Sequence, residues 1–346
     1  MKSLVEKALC ATLAFAAVTA AHAQEKVLNL YSARHYQTDE MLYSNFTKET
    51  GIKINRIEAD DNPLLERIKS EGKNSPADVI LLVDAARLWR AQTDGLFQPV
   101  KSRVLESRIP ANLRGKDDGK GAEWYGFSTR GRIIVYNKDT VKPEDVATYE
   151  SLADPKNKGK VCTRSGSHPY MLSLIGSMIE RDGERATEDW AKGVVANFAR
   201  PPQGGDTDQI KGVASGECGV AVANTYYYVR LLRSTKPEDK QAMSKVAFVW
   251  PNQKTSGTHV NIAGGGVARY APHRDAAVKF LEYLASDEAQ GYFANGNNEW
   301  PAVPTAVAKN PALESLGKFK AENISIAVIG KNQIAAQKIV DRAGYK

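Results

Sequence analysis

The sequence predicts an α/β protein built from two doubly wound α/β lobes that are joined by a hinge. Strand and helix patterns alternate along most of the chain, which is typical of sheets with helices on both faces. The chain has 346 residues, which is large for one domain and sufficient for two lobes of ordinary size. A late strand pattern is expected to return to the first lobe, so the chain crosses between the lobes.

The first lobe begins with an alternating strand and helix series. A helix predicted over 38–51 ends at Gly51, and glycine is a common helix-ending residue. The run over 78–83 is apolar after its first residue, as in a parallel strand covered on both faces. The other elements of the series are strands over 27–32 and 52–57 and a helix over 62–71. This series favours a doubly wound lobe.

The second lobe is predicted to begin near residue 126, where a polar, glycine-containing segment leads into a strand over 133–137. The alternating pattern then continues with a helix start at 149–152, strands over 160–162, 219–223 and 246–250, and helices over 170–180, 189–199 and 206–214. A strand over 262–268 belongs to the first lobe. A helix over 274–286 precedes the C-terminal helices.

These elements predict how the chain is divided. We expect a signal peptide over 1–23, an N-terminal lobe over 24–125 plus about 251–300, and a C-terminal lobe over 126–250 plus about 301–346. Ligands of open α/β sheets bind at the carboxyl ends of strands. We therefore expect a binding cleft between the lobes, where polar strand ends converge.

The N-terminus predicts export to the periplasm. Basic residues precede an apolar run over 8–20, and Ala21-His22-Ala23 is a small-x-small cleavage sequence. The run is too short to span a bilayer, and no later stretch is long enough, so we do not expect a membrane-embedded protein. Cys10 as a lipid anchor is the alternative, but Lys7-Ala8-Leu9 fits such a signal poorly.

The charge pattern gives no indication of nucleic-acid binding. The net charge of the full chain is +7 at pH 7. Basic residues are spread along the sequence without a run of five, so no basic patch is predicted.

Cys162 and Cys218 are the two cysteines that remain after the signal peptide. Two cysteines in an oxidising compartment usually form a disulfide, which here would tie two neighbouring strands together. A thiolate metal site is the alternative reading.

Adjacent tyrosines open a helix directly after the apolar strand over 219–223. Asn224 and Thr225 are N-cap residue types, and Tyr226, Tyr227 and Tyr228 follow them. A phenol keeps its proton in neutral water, with a pKa of about 10, but a trivalent cation can displace that proton. Three successive helix positions point about 100° apart, so we expect Tyr228 to pack in the core.

Two other predicted strands end in phenols and imidazoles. His35 and Tyr36 follow the first strand, and His168 and Tyr170 follow the strand at Cys162. Zinc and copper prefer imidazole and thiolate, whereas calcium and magnesium prefer carboxylate and carbonyl oxygen. A set rich in phenolate instead suits a hard trivalent ion, and Fe(III) is the candidate.

Arginines are the candidates for balancing the charge of such a site. Three or four phenolates on a trivalent ion leave a net charge of about zero or −1, which needs a nearby cation if buried. Arg130 and Arg230 lie where they could hold phenolate oxygens.

Other readings of the same residues stay open at this point. A lone tyrosine after a strand is ordinarily a half-buried aromatic, and a tyrosine run can line a sugar or amine pocket. His35 can hydrogen-bond a neighbour instead of a metal, and His168 before Pro169 suits a turn. The aspartates after strands, at 60, 61 and 84, read as solvated helix caps or as members of the cleft.

No catalytic motif is recognised, so we do not expect an enzyme. The glycines at 264–266 lack the spacing of a phosphate-binding loop. Gly-x-Ser-x-Gly and His-Glu-x-x-His are both absent from the sequence. A carrier for a polyamine, thiamine or a small organic anion is the alternative on the same architecture.

At these residues the chain resembles the periplasmic ferric-ion-binding proteins of bacterial iron ABC transporters, which have a transferrin-like two-lobe cleft. The resemblance covers nearly the whole mature chain. It rests on Tyr-Ser-Ala-Arg-His-Tyr at 31–36, Gly-Phe-Ser-Thr-Arg-Gly-Arg at 126–132 and, above all, Ala-Asn-Thr-Tyr-Tyr-Tyr at 223–228.

The resemblance implies a fold like that of type II periplasmic binding proteins, and capture of Fe(III) for an inner-membrane ABC permease and its ATPase. We expect the protein to act as a monomer. The implied ligands are Tyr36, Tyr170, Tyr226 and Tyr227, and His35 ligates in some members of the family. Arg130 and Arg230 match positions that look like charge-balancing residues behind the ligands. Some members add a synergistic carbonate, but Tyr36 with Tyr170 resembles the tyrosine-rich, anion-independent type.

Overall fold

The computed structural model describes residues 26–34 and 39–346. The predicted signal peptide, and with it Cys10, lies outside the described residues. The β-strands are β1 (Val27–Ser32), β2 (Lys53–Glu58), β3 (Val79–Val83), β4 (Tyr125–Asn137), β5 (Val161–Cys162), β6 (Val220–Asn224), β7 (Val246–Val249), β8 (Val260–Val267) and β9 (Trp300–Pro301).

Helices pack around these strands and connect them. The α-helices are α1 (Asp39–Thr50), α2 (Asp61–Glu71), α3 (Ala85–Thr93), α4 (Arg103–Arg108), α5 (Pro169–Asp182), α6 (Glu184–Ala196), α7 (Asp206–Ser215), α8 (Thr225–Leu232), α9 (Pro237–Lys245), α10 (Arg274–Leu284), α11 (Asp287–Asn295), α12 (Pro311–Glu314), α13 (Ile326–Lys331) and α14 (Gln333–Ala343). Short 3₁₀ turns occur at Gly72–Asn74, Ala111–Leu113, Pro143–Val146, Glu150–Ala153 and Pro155–Asn157.

The strands follow the order β2-β1-β3-β8-β4-β6-β5, with β7 and β9 also paired to β4. Strand β1 is parallel to β2 and β3, and β5 is parallel to β6, whereas β8 runs antiparallel to β3 and β4. This mixed α/β architecture confirms the predicted fold class. The strand directions make the carboxyl ends of β1, β2 and β3 point toward the carboxyl ends of β5 and β6.

Strand β4 joins the two groups of strands. Its first half pairs with β8 through Gly131, and its second half pairs with β6 from Arg132 onward. The strand was predicted only over 133–137, because serine, threonine and glycine interrupt the apolar pattern before it. The hydrogen bonds of that earlier part come from β8, a partner more than a hundred residues away, so no local pattern marks it.

The glycines at 264–266 have a packing role inside β8. A Cβ at Gly264 would lie 2.4 Å from the Tyr125 carbonyl oxygen, and one at Gly266 would lie 2.2 Å from the Glu123 carbonyl oxygen. Only glycine allows such close backbone approach. The run therefore fits β8 between its neighbours, in agreement with the absence of a phosphate-loop pattern.

Separate groups of apolar side chains fill the two halves of the molecule. One is built on β1, β3 and α10 and includes Leu30, Ile80 and Phe280. Two others flank β6, one around Val222 and one around Ala221. The segment over 301–346 contributes to both halves, with Ile326 in the first group and Ile339 in the second. The exact lobe boundaries stay a prediction.

The disulfide predicted between Cys162 and Cys218 is present, with Cα atoms 5.8 Å apart. Cys162 lies in β5 and Cys218 precedes β6, its parallel neighbour. The bond thus ties two strands whose ends lead to Tyr170 and Tyr226.

Candidate functional site

Tyr226 and Tyr227 occupy the first turn of α8, directly after the buried strand β6. Tyr226 is buried and Tyr227 is partly exposed, and their ring centroids lie 4.2 Å apart. Asn224 is the N-cap residue by position, but its side chain makes no capping hydrogen bond. Its Oδ1 accepts instead from Arg132 Nη1 at 3.0 Å, so the start of this helix is fixed by tertiary contacts.

Tyr170 reaches the same place from α5, which begins with Pro169. The hydroxyl groups of Tyr170 and Tyr226 lie 3.1 Å apart. Neighbouring parallel strands, β5 and β6, place the starts of the two helices at one edge of the sheet. The structure thus brings together three of the four predicted phenols, Tyr170, Tyr226 and Tyr227, and we call them the phenol cluster.

His35 and Tyr36 lie outside the described residues. The described chain reaches Arg34 on one side of them and resumes at Asp39 on the other. Arg34 and Asp39 form a buried ion pair with 3.0 Å between Nε and Oδ2.

Three arginines surround the ring of Tyr170. The guanidinium carbons of Arg130, Arg132 and Arg164 lie 5.7, 5.9 and 4.9 Å from its centroid. Burial raises the pKa of Tyr170, the nearby Tyr227 phenol raises it further, and Arg130 opposes both effects. The Tyr170 phenol is therefore protonated at neutral pH unless a metal displaces the proton.

Arg230 lies apart from these three arginines. It is exposed, its guanidinium stacks 4.9 Å from the Tyr227 ring centroid, and its Nη2 donates to Thr207 Oγ1 at 3.0 Å. The sequence predicted Arg230 behind the phenolate oxygens, whereas in the structure its guanidinium lies against the face of the Tyr227 ring. Its part in charge balance stays a prediction.

Asp206 anchors the second-lobe arginines. Its carboxylate lies 2.7 Å from Arg132 Nη1 and 3.2 Å from Arg164 Nη1, and it accepts the Asn224 backbone N–H at 2.7 Å. The sequence reasoning passed over Asp206, Arg132 and Arg164. Arg132 belongs to the quoted segment at 126–132, but the acidic partner begins a helix far along the chain and has no local signal.

Arg130 is fully buried, and its guanidinium nitrogens have no hydrogen-bond partner among the described residues. Its nearest carboxylate is Glu299, with Nη1 and Oε1 3.8 Å apart. Burial alone would lower the pKa of Arg130, but Glu299 and then the phenols of Tyr170 and Tyr226 raise it overall. Unpaired buried donors are rare and costly, so this arginine presents unused donors close to the phenol cluster.

His168 has the turn role that its position before Pro169 suggested. It is the N-cap residue of α5, and its Nδ1 accepts the Tyr170 backbone N–H at 3.2 Å. Burial, followed by the charges of Arg164, Arg132 and Arg87, lowers the pKa of His168 to about 2. The ring is therefore neutral, with its other nitrogen protonated.

Of the aspartates after strands, Asp84 departs from the expectation of a solvated cap. It does cap α3 by accepting the Ala86 N–H, but it is fully buried and also accepts from Ser173 Oγ at 2.6 Å. Asp60 is exposed at the start of α2, and Asp61 forms an ion pair with Arg87 at 2.8 Å. Asp84 lies in the first half of the sheet and Ser173 on α5, so their bond links the two lobes.

Comparison with known proteins identifies the family. Residues 41–321 match the family of bacterial extracellular solute-binding proteins. The chain belongs to this family. Within the described residues, no helix of this solute-binding protein is long and apolar enough to cross a bilayer.

Several proteins that are similar to this solute-binding protein have names or structure descriptions that concern iron. It is 51% identical to the iron uptake protein A1 of Synechocystis sp. over 93% of this chain and 88% of that protein. A Trichodesmium protein called IdiA or FutA, solved in complex with iron and citrate, is 52% identical with a TM-score of 0.87, over 92% of this chain and all of that one. A ferric binding protein from Campylobacter jejuni is 39% identical with a TM-score of 0.86, over 92% of this chain and all of that one. The fold is thus that of a type II periplasmic binding protein, as expected.

Proposed function

We propose that this protein captures Fe(III) in the cleft between its lobes and delivers it to the inner-membrane permease of an ABC transporter. The observation that supports this most is the phenol cluster, in which two hydroxyl groups lie 3.1 Å apart. Hard phenolate oxygens gathered at one point suit a trivalent ion. The iron-related names of the similar proteins agree with this reading.

In this proposal Tyr170, Tyr226 and Tyr227 bind the ion from the second lobe. Tyr36 completes the set from the first lobe, with His35 as a further candidate ligand. Arg130 and Arg230 stand behind the ligands. No carbonate or other anion is needed when four phenolates are present.

The charges around Tyr170 match what four phenolates would need. Four phenolates on Fe(III) carry a net charge of −1, which is costly in a buried site without a cation. Arg130, Arg132 and Arg164 surround the Tyr170 ring and supply positive charge there. The surrounding residues therefore offset the charge of the loaded site.

Binding of the ion from both lobes would favour the closed state. Tyr36 comes from the first lobe and the phenol cluster from the second, so only the closed arrangement lets all of them contact one ion. The difference in affinity between the open and closed states then drives closure. The closed, loaded form is what the transporter recognises.

We propose that the protein is a carrier and has no catalytic role. The protein works as a monomer in the periplasm after removal of its signal peptide, and it makes or breaks no bond in its cargo. Polyamine or thiamine carriage is disfavoured because an organic cation, unlike Fe(III), does not displace phenol protons, so the three arginines around Tyr170 would repel it with no phenolate to compensate. Carriage of an organic anion alone would leave three clustered phenols without a role.

Replacing Tyr226 and Tyr227 with phenylalanine tests the proposal. We expect the double variant to have a weaker and shifted phenolate-to-iron absorption band and at least about a hundredfold lower affinity, because two of the four proposed phenolate ligands are removed. Tyr228→Phe is the matched control: it lies in the same helix but packs against Phe248, with ring centroids 5.2 Å apart. Tight ferric binding with an unchanged band in the double variant would refute the assignment.

A further inference from the structure

Glu299 is a buried carboxylate between α11 and β9 that no sequence pattern singled out. Its side chain is fully buried. Oε2 accepts a hydrogen bond from Ser128 Oγ at 2.8 Å, and Oε1 has no hydrogen-bond partner among the described residues. A buried carboxylate with half of its acceptors unused needs an explanation beyond packing.

Two arginines from different parts of the site share this carboxylate. Arg34 Nη1 lies 3.6 Å from Oε2, and Arg130 Nη1 lies 3.8 Å from Oε1. Both distances exceed the 2.7–2.9 Å that is usual for a charge-assisted hydrogen bond. Glu299 therefore attracts both arginines by charge without accepting a hydrogen bond from either at these distances, and the guanidinium N–H groups of Arg130 have no hydrogen-bond partner among the described residues.

Each of these arginines adjoins one part of the proposed iron site. Arg130 lies 5.7 Å from the ring centroid of Tyr170. Arg34 directly precedes the segment 35–38 and pairs with Asp39, which directly follows it. Asn297 Nδ2 donates to Asp39 Oδ1 at 2.9 Å, so the stretch that bears Glu299 also contacts Asp39, the partner of Arg34.

We infer that Glu299 is a positioning residue for the iron site: its buried carboxylate, shared with Arg34, sets Arg130 against Tyr170. This inference rests on the proposed function. Two guanidinium groups that share one counter-charge repel each other when it is removed. Arg130 then loses its alignment with Tyr170 and is free to turn its donors elsewhere.

Glu299→Gln removes the charge while keeping the size of the side chain and an acceptor for Ser128. We expect transfer of iron to excess citrate to become about tenfold faster. This is the lower end of the loss in metal affinity that follows when a residue supporting the metal ligands is changed. The phenolate-to-iron band should also move, since Arg130 no longer holds its place beside Tyr170. The matched control is Glu322→Gln, another buried glutamate, which pairs with His259 at 3.1 Å.

The outcomes separate this inference from the proposed function. If wild-type protein binds no iron, the proposed function fails. If wild type binds iron, and Glu299→Gln shows the wild-type band and release rate with only a lower melting temperature, Glu299 is scaffold and the inference is overturned. If the glutamine variant does not fold, Glu299→Asp is the test, because aspartate keeps the negative charge but holds its carboxylate farther from Arg130 and Arg34. At least threefold faster release with a moved band supports positioning, and wild-type values overturn it.

Discussion

The hydroxyl groups of Tyr170 and Tyr226 lie 3.1 Å apart although 56 residues separate them in the sequence. Two phenols at this distance share a hydrogen bond as long as at least one keeps its proton. Burial, with Tyr227 adding to it, raises the pKa of Tyr170. The ion-free site is therefore a hydrogen-bonded pair of phenols that a strongly charged metal must deprotonate.

Proton release should accompany ferric binding for this reason. We expect roughly one proton for each phenolate formed, about three from the cluster and one more from Tyr36. Acidification therefore weakens binding, because protons compete with the metal for the phenol oxygens. A weakly buffered titration with a pH indicator measures the count, with buffer and ferric chelate alone as the blank. Binding without proton release at neutral pH would argue against phenolate ligation.

The hydrogen bond from Ser173 to Asp84 should stabilise the closed form. Ser173 lies on the helix that bears Tyr170, and Asp84 lies at the end of β3 in the first lobe. Ser173→Ala should speed iron release about tenfold to a hundredfold, the effect of losing a buried hydrogen bond to a charged group. The absorption band should not move, since no ligand changes. Stopped-flow transfer to a chelator measures the rate, with the buried Ser177→Ala of the same helix as control, and equal rates would contradict the assignment.

Asp206 should be required for stability as well as for charge balance. It is fully buried and pairs with Arg132 and Arg164, so Asp206→Asn leaves these arginines without their charge partner. We expect the free energy of unfolding to fall by roughly 3 kcal/mol, as when one partner of a buried pair is removed. Denaturant unfolding measures the change, and exposed Glu184→Gln serves as control. A variant as stable as wild type would show that the pair is dispensable.

The disulfide should affect stability without affecting the metal. Cys162 and Cys218 enclose a stretch that includes Tyr170, with a sequence separation of 56. Changing both cysteines to alanine should lower the free energy of unfolding by about 4 kcal/mol in the chain-entropy view of a loop this long. The absorption band of the iron-loaded protein should stay in place. Loss of the band in a folded double variant would mean that the bond also holds the ligands.

The sequence predicted much of the fold because local patterns control much of it. Buried strands such as β3 and β6 are short apolar runs, and the helices between them have visible starts and ends. Strand β4 was underestimated, since its glycine- and hydroxyl-containing half is held by distant β8. Pairing over such a separation leaves no mark in a local window.

The site was partly predictable for a similar reason. Adjacent tyrosines at a strand-to-helix junction are a local signal, and the parallel pairing of β5 with β6 then brings Tyr170 to Tyr226. The carboxylates behind the arginines were missed. Asp206 is 74 residues from Arg132, and Glu299 is 171 residues from Ser128. Only the folded chain shows that these charges belong together.

Titration of the metal-stripped protein with ferric citrate, followed by visible absorption, tests the central claim most directly. The account predicts a phenolate-to-iron band that grows to saturation at one ion per protein and disappears on acidification. The Tyr228→Phe control should reproduce the titration. A stripped, folded protein that develops no such band with ferric citrate would contradict the account.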